Sequence, residues 1–114
     1  MFRVIENKEK IASIKIPIDV HCICAIGKET YTAQTIIEIN DADFYPEFIE
    51  FQQWIYDTFE DKELNIERYV ADLGTAIHEA CKAQVVITVF VDDARKHFPV
   101  TESRTWEKKN KLNG

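Results

Sequence analysis

Two cysteines and a histidine lie close together in the stretch VHCICAIGKET, residues 20–30. A cysteine thiolate is a nucleophile and a ligand for zinc, and a histidine imidazole also binds zinc. Free cysteine is, however, among the residue types most often buried in protein cores. The residue types therefore leave three interpretations open: a nucleophile, a metal site, or part of a core.

Cys24 is the candidate nucleophile because it lies near the end of a predicted strand, three residues before Gly27. A nucleophilic thiol needs an open position and a neighbour that handles protons, and Glu29, just past the turn, is the candidate acid or base. Cys22 is the alternative nucleophile. Spacing alone favours a simpler interpretation, in which both cysteines are core residues.

A zinc site in this stretch would have to use His21, Cys22 and Cys24. Adjacent strand residues point to opposite faces, so His21 cannot join the two cysteines around one ion without a bulge. Three further residues of ligand type occur later in the chain: His78, Cys81 and His97. Because the spacing is not that of a standard zinc finger, we predict no metal ligands and keep zinc as an alternative.

Glu67 is the candidate for binding a substrate ring. It falls in the first turn of the second predicted helix, where the helix dipole favours an acid. If its carboxylate faces a pocket, it could accept two hydrogen bonds from the amino and ring N–H groups of a guanine-like base. Glu50, in the first predicted helix, is a second candidate for lining such a pocket.

Composition and length exclude several classes. A chain of 114 residues is predicted to be one domain, and its net charge of -6 argues against a broad nucleic-acid surface. Three glycines are too few for a dinucleotide fingerprint or a P-loop. With no apolar run of about 20 residues, no signal-peptide core and three cysteines, we expect a cytoplasmic protein with free thiols and no membrane partner.

Four strands are predicted from the pattern of apolar residues. Alternation with a period of two indicates strands over residues 13–26 and 29–39, joined by a turn at Gly27. Residues 83–91 are apolar on both faces, as in a strand buried on both sides, and residues 97–103 could pair with them.

Two helices are predicted between the second and third strands. Helical spacing indicates a first helix ending near residue 59, with Pro46 in its first turn, and a second helix from an Asn65 cap to about Lys82. The order is strand, strand, helix, helix, strand, strand. We therefore predict an α+β fold, a four-stranded antiparallel sheet with two helices on one face.

Three stretches in this order resemble the tunnelling fold: CICAIGKETYTAQTIIEI, EFIEFQQWIYDTFEDKELNIERYVADLGTAIHEAC and AQVVITVFV. Within that fold the chain most resembles the QueF nitrile reductases of queuosine biosynthesis and the shorter QueF-like amidinotransferases of archaeosine formation. The resemblance covers about residues 18–104. It implies a tunnelling-fold domain over 1–104, a charged tail over 105–114, and a homo-oligomeric barrel in which a partner covers the second face of residues 85–91.

The resemblance also implies a reaction. In that family a cysteine after the first strand adds to the nitrile of 7-cyano-7-deazaguanine (preQ0) to form a thioimide, and a glutamate opening the second helix holds the base. Cys24 and Glu67 match these positions, with Cys22 as the rival because Glu29 lies at the family's spacing from it. The thioimide is then converted to an amidine, or reduced by NADPH to 7-aminomethyl-7-deazaguanine.

The chain departs from the reductase pattern in three places. No lysine follows Glu50, where the reductases carry their NADPH motif, so amidine formation is favoured and no cofactor is assigned. Ile66 replaces the family's histidine before the base-binding glutamate, and Ala25 replaces the proline after the cysteine.

Two other classes stay open: a zinc-dependent enzyme resembling the GTP cyclohydrolases, and a non-catalytic purine- or pterin-binding subunit. The expected partner is a small purine-like molecule. Basic residues near the C-terminus leave tRNA open as a second partner.

Overall fold

The computed structural model describes residues 1–92 and 98–109. Its six strands are β1 Val4–Glu6, β2 Ser13–Ile23, β3 Thr30–Asn40, β4 Phe44–Pro46, β5 Gln84–Val91 and β6 Val100–Trp106. Its two helices are α1 Phe48–Phe59 and α2 Ile66–Cys81.

Four of the strands form one antiparallel sheet in the order β2-β3-β5-β6, so β2 and β6 are its edges. Both helices pack on the sheet, and one core lies between the two layers. Large side chains that are almost completely buried fill this core: Tyr69, Phe51, Phe59, Ile37, Ile39, Ile55, Leu73, Ile77 and Ile87. The predicted α+β fold, with two helices and an antiparallel sheet of four strands, is confirmed.

Strand β5 is buried on one face within the single chain. Its residues alternate between buried positions, such as Val85 and Ile87, and half-buried positions, such as Val86 and Thr88. The helices cover the buried face. The half-buried face is the one for which the sequence predicts a partner subunit.

The first long strand is shorter than predicted. It ends at Ile23, because Cys24 N–H donates to the Glu29 carbonyl (2.8 Å) and Lys28 N–H donates to the Cys24 carbonyl (2.9 Å). These bonds close a turn in which Lys28 has a φ of 60°. Cys24 and Ile26 were predicted to continue the buried face, and this was wrong: Ile26 is 93% exposed.

The start of α1 also differs from the prediction. Pro46 is not in the helix: it ends β4, which pairs with β1 through Val4. Glu47 caps α1, accepting backbone N–H groups of Ile49 and Glu50 with its side chain. Strands of three residues are too short to produce a period of two, so the β1–β4 pair was not predicted.

The last strand continues beyond the predicted range of 97–103 and reaches Trp106. His97 lies outside the described residues. Trp106 is only 8% exposed, and Lys108 Nζ donates to the Asp41 carbonyl (2.7 Å) and to Asp43 Oδ1 (3.1 Å). The chain is therefore packed on the domain past residue 104, where the charged tail was predicted to begin.

Candidate active site

Cys24 is the first residue after the edge strand β2. Its side chain is half-buried, and its Sγ accepts a hydrogen bond from Gly27 N–H at 3.4 Å. A backbone donor in this position stabilises negative charge on the sulfur as it develops. Glu29 lies across the turn, with its carbonyl bonded to Cys24 N–H. The turn thus keeps the two predicted catalytic residues, Cys24 and Glu29, together.

Cys22 lies in a different environment, two residues earlier. It is completely buried, and its thiol donates to the Phe59 carbonyl at 3.7 Å. Burial raises the pKa of the Cys22 thiol, with a smaller opposing effect from a hydrogen bond with Tyr31. A buried, protonated thiol is a poor nucleophile. Of the two candidates, Cys24 has the more accessible thiol, and the Cys22 thiol is buried against Phe59.

The connection between the helices is bound to the end of β2. Ile23 pairs with Glu63 in parallel, through bonds from Ile23 N–H to the Lys62 carbonyl (2.9 Å) and from Leu64 N–H to the Ile23 carbonyl (3.0 Å). Lys28 Nζ forms an ion pair with the Glu63 carboxylate. These contacts fix the start of α2 at the end of the sheet where the Cys24 turn lies.

Tyr31 strengthens the same connection. Its hydroxyl donates to the Leu64 carbonyl at 2.6 Å, and burial raises the pKa of the phenol, which keeps it a donor. Sequence reasoning did not identify Tyr31 as important. The contact joins residues 33 positions apart, and a tyrosine in a strand carries no signal for it.

Glu67 lies exposed in the first turn of α2, which Asn65 caps by accepting Arg68 N–H at 2.8 Å. The Glu67 carboxyl is hydrogen-bonded to the carboxyl of Glu102, the third residue of β6. This hydrogen bond, together with desolvation and repulsion between the two acids, raises the pKa of Glu102 to about 7. At a pKa of about 7 the Glu102 carboxyl is only partly protonated at neutral pH. Glu102 was not among the predicted site residues.

The candidate residues lie at one end of the sheet but near opposite edges. The antiparallel order brings the end of β2, the start of β3, the end of β5 and the start of β6 to the same end. Cys24 follows β2, whereas Glu67 is bonded to β6. Three strand spacings separate β2 from β6, or about 14 Å.

Glu50 is placed elsewhere in the single chain. It forms a two-pronged contact with Arg3, from Nε at 3.2 Å and Nη2 at 2.6 Å, and this contact lowers the pKa of its carboxyl. The Cys22 thiol contacts the other end of α1, at Phe59, nine residues or about 13 Å along the helix. The structure does not bring Glu50 to the predicted substrate site within one chain.

Residues 1–92 and 98–109 contain no group of three His, Cys, Asp or Glu side chains arranged to bind a metal ion. His21 Nδ1 pairs with Glu60 Oε1 (3.0 Å), and His78 Nε2 lies 2.9 Å from the Glu107 carbonyl oxygen. Burial raises the pKa of Cys81 to about 12. Within these ranges the residues considered for zinc are dispersed.

Comparison with known proteins agrees with this architecture. The arrangement of two helices on a four-stranded antiparallel sheet is the tunnelling fold that the sequence predicts. Among solved structures, the chain is similar to the crystal structure of the archaeosine synthase QueF-Like in the apo form, with a TM-score of 0.74 and 17% sequence identity. The similarity covers 83% of this chain and 93% of that chain.

No protein-family model matches the sequence, and no curated protein matches it. At 17% identity the structural similarity establishes the fold. The described residues form no helix long and apolar enough to cross a membrane.

Proposed function

We propose that this protein is a QueF-like enzyme of 7-deazaguanine metabolism, in which the Cys24 thiolate adds to the nitrile of 7-cyano-7-deazaguanine. The observation that carries the proposal is the position of Cys24. Its thiol is accessible in a hydrogen-bonded turn directly after the first long strand of a tunnelling fold. The packed Cys22 thiol lacks that accessibility.

The chemistry requires few groups. The sulfur forms a bond to the nitrile carbon, one π pair moves to the nitrogen, and an acid protonates that nitrogen to give a thioimide. Glu29, across the turn from Cys24, is the candidate acid. Ammonia or another amine then adds to the thioimide carbon, and the thiolate leaves to give an amidine. No oxidant or reductant is needed, which agrees with the absence of the lysine motif for NADPH.

Glu67 is proposed to hold the base by accepting its amino and ring N–H groups. Within one chain Cys24 follows β2 and Glu67 is bonded to β6. Strands β2 and β6 are antiparallel to each other and are both edges. If β6 of one subunit pairs with β2 of the next around a ring, the partner copy's Cys24 turn comes beside Glu67. The site is then complete only between subunits.

The open edges support such an assembly. An unpaired strand edge exposes backbone groups that readily pair with another chain. Beside the β2 edge, a groove of about 580 Å³ lies between β2 and α1, lined mainly by apolar side chains such as Ile16, Phe51 and Ile55. We propose a closed ring of identical subunits in the cytoplasm. The net charge of -6 favours the free base over tRNA as substrate.

Mass spectrometry of protein incubated with 7-cyano-7-deazaguanine tests the proposal. We expect a gain of one ligand mass, lost in Cys24→Ala and retained in the matched controls Cys22→Ala and Cys81→Ala. Added ammonia should release an amidine, whereas NADPH should yield little amine. If Cys22→Ala abolishes the adduct and Cys24→Ala does not, the nucleophile is Cys22.

Two other results would replace the enzyme proposal. Binding of the base without an adduct in any variant would indicate a non-catalytic purine-binding subunit. Stoichiometric zinc in the purified protein, lost in Cys22→Ala or Cys24→Ala, would indicate the zinc-dependent class.

A further inference from the structure

The outer edge of β2 is capped at both ends by hydrogen bonds within the chain. At its C-terminal end, the His21 N–H donates to Glu60 Oε2 (3.1 Å) and the His21 carbonyl accepts the Asp61 N–H (2.7 Å). Just before the strand, the Asn7 side chain takes both backbone groups of Ile11: Oδ1 accepts the N–H and Nδ2 donates to the carbonyl, each at 3.0 Å. The edge is therefore open only between these two caps.

The free backbone groups between the caps follow from the alternation of the strand. In an antiparallel ladder the N–H and C=O of one residue point to the same side, and successive residues alternate. Because both groups of His21 point outward, those of every second residue before it also do: Ser13, Lys15, Pro17 and Asp19. Within residues 1–92 and 98–109 no hydrogen bond is described for these outward groups. We call residues 13–19 the β2 window.

The free edge of β6 matches the β2 window. Continued through β3 and β5, the same alternation points the N–H and C=O groups of Thr101, Ser103 and Thr105 away from β5. Strand β6 has 7 residues, the same length as the window. The two strands also run antiparallel to each other, so the edge of a second copy can continue the ladder.

We propose that the β2 window is the binding surface for β6 of a second copy of this chain, in the register that places Ser103 of the partner subunit opposite Lys15. This inference rests on the ring of subunits proposed above. It specifies which segment of the edge takes part and how the two strands are aligned.

Two requirements select this register. All three outward residues of β6 must face the window, since the residues beyond it are capped; this allows Ser103 opposite Lys15 or opposite Pro17. A closed barrel also needs a stagger between its strands. Within one chain, Pro17 and Ser103 already lie in one row across the sheet, through Ile36 and Thr88. Pairing Ser103 with Pro17 of the next subunit would therefore give no stagger, whereas pairing it with Lys15 gives one of two residues per subunit.

The cap at His21 also keeps the partner strand away from the candidate nucleophile. The β2 window ends at Asp19, five residues or about 16 Å along the chain before Cys24. Between them the edge is bonded to residues 60–64 of the same chain. The apolar groove between β2 and α1 lies along the window. A partner strand at the window would thus cover the groove and leave the Cys24 turn open to a small ligand.

Disulfide cross-linking tests the register, because opposite residues of a hydrogen-bonded pair have Cα atoms about 5.5 Å apart, within reach of a disulfide. The Lys15→Cys/Ser103→Cys variant, in a Cys24→Ala background that removes the accessible native thiol, should form covalent oligomers on mild oxidation. The matched control is Lys15→Cys/Thr105→Cys, whose cysteines are opposite each other only without a stagger. We expect at least about tenfold more cross-linked product from the first pair.

Neither pair can close within one chain, because three strand spacings, or about 14 Å, separate β2 from β6. Native mass spectrometry gives the oligomeric state of the native chain independently, and the adduct at Cys24 tests the proposed reaction. A monomeric native chain would refute the ring and this inference together.

An oligomer in which the control pair cross-links instead would refute the register alone. An oligomer in which neither pair cross-links would show that β6 does not bind the β2 window. In both cases an adduct at Cys24 would leave the proposed reaction standing. Far-UV circular dichroism of each variant confirms that it is folded.

Discussion

Replacing Glu102 by glutamine should make the protein more stable than the native chain at pH 8 and should flatten the dependence of its stability on pH. The Glu102 carboxyl has a pKa of about 7 in the fold, against an ordinary 4.5. Between pH 4.5 and pH 7 the folded state binds more protons at Glu102 than the unfolded state does. Protonation of Glu102 therefore stabilises the fold fully below pH 4.5, and this stabilisation is lost as the pH rises through 7.

The size of the effect follows from the pKa of Glu102 in the folded and unfolded states. A pKa difference of this size corresponds to about 3 kcal/mol in the free energy of unfolding if solvent screens none of it. Glu102 is only half-buried and solvent screens the pair, so we expect about 1 kcal/mol. The glutamine side chain in the Glu102→Gln variant would keep a hydrogen bond to Glu67 at every pH, because its amide donates to the carboxylate.

Urea unfolding at pH 5 and pH 8 measures this effect. The native protein should lose about 1 kcal/mol more in its free energy of unfolding between the two pH values than Glu102→Gln does. Glu79→Gln, which replaces an exposed acid on α2, is the matched control for the removal of one negative charge. Equal pH dependence in the native protein and in Glu102→Gln would show that the two carboxyls do not share a proton.

Two further substitutions test the packing that positions the site. Gly74→Ala should destabilise the protein by about 2 kcal/mol in urea unfolding. The added Cβ would lie 2.0–2.5 Å from atoms of the Trp106 ring, and this overlap outweighs the gain in helix propensity of about 1 kcal/mol. A more stable variant would contradict this. Tyr31→Phe should cost about 1 kcal/mol, because the Leu64 carbonyl loses a donor at 2.6 Å; Tyr45→Phe is the matched control, and an equal cost in both would contradict it.

Features that depend on local sequence were predictable. The alternation of apolar residues from Ile14 to Cys22 correctly predicted β2. Asn65 was correctly predicted to cap α2, because its short polar side chain can accept a free N–H group of the first turn. The end of β2 was not predictable from alternation. Ile26 continues the apolar pattern, but the hydrogen bonds between Cys24 and Glu29 close the turn first.

Features that depend on contacts distant in sequence were missed. Glu102 meets Glu67 only because β6 occupies the edge beside α2, and the sequence provides no measure of that distance. Trp106 carried no such signal either, because the residues between Val100 and Trp106 on the same face of β6, Glu102 and Arg104, are both charged. The strand was therefore predicted to end at residue 103.

The separation of Cys24 from Glu67 leads to a prediction about assembly. If each site takes Cys24 from one subunit and Glu67 from the next, a variant that cannot form the adduct and a variant that binds the base weakly should restore adduct formation when mixed. In a ring assembled at random from equal amounts of Cys24→Ala and Glu67→Gln chains, about one interface in four joins a native Cys24 to a native Glu67. Exchange of subunits followed by mass spectrometry at limiting ligand should therefore recover about a quarter of the native adduct. The control is the double variant Cys24→Ala/Glu67→Gln mixed with Cys24→Ala, which cannot form the adduct. If the two residues act within one chain, the mixture of single variants gives no more adduct than Glu67→Gln alone, and the proposal that the site lies between subunits is wrong.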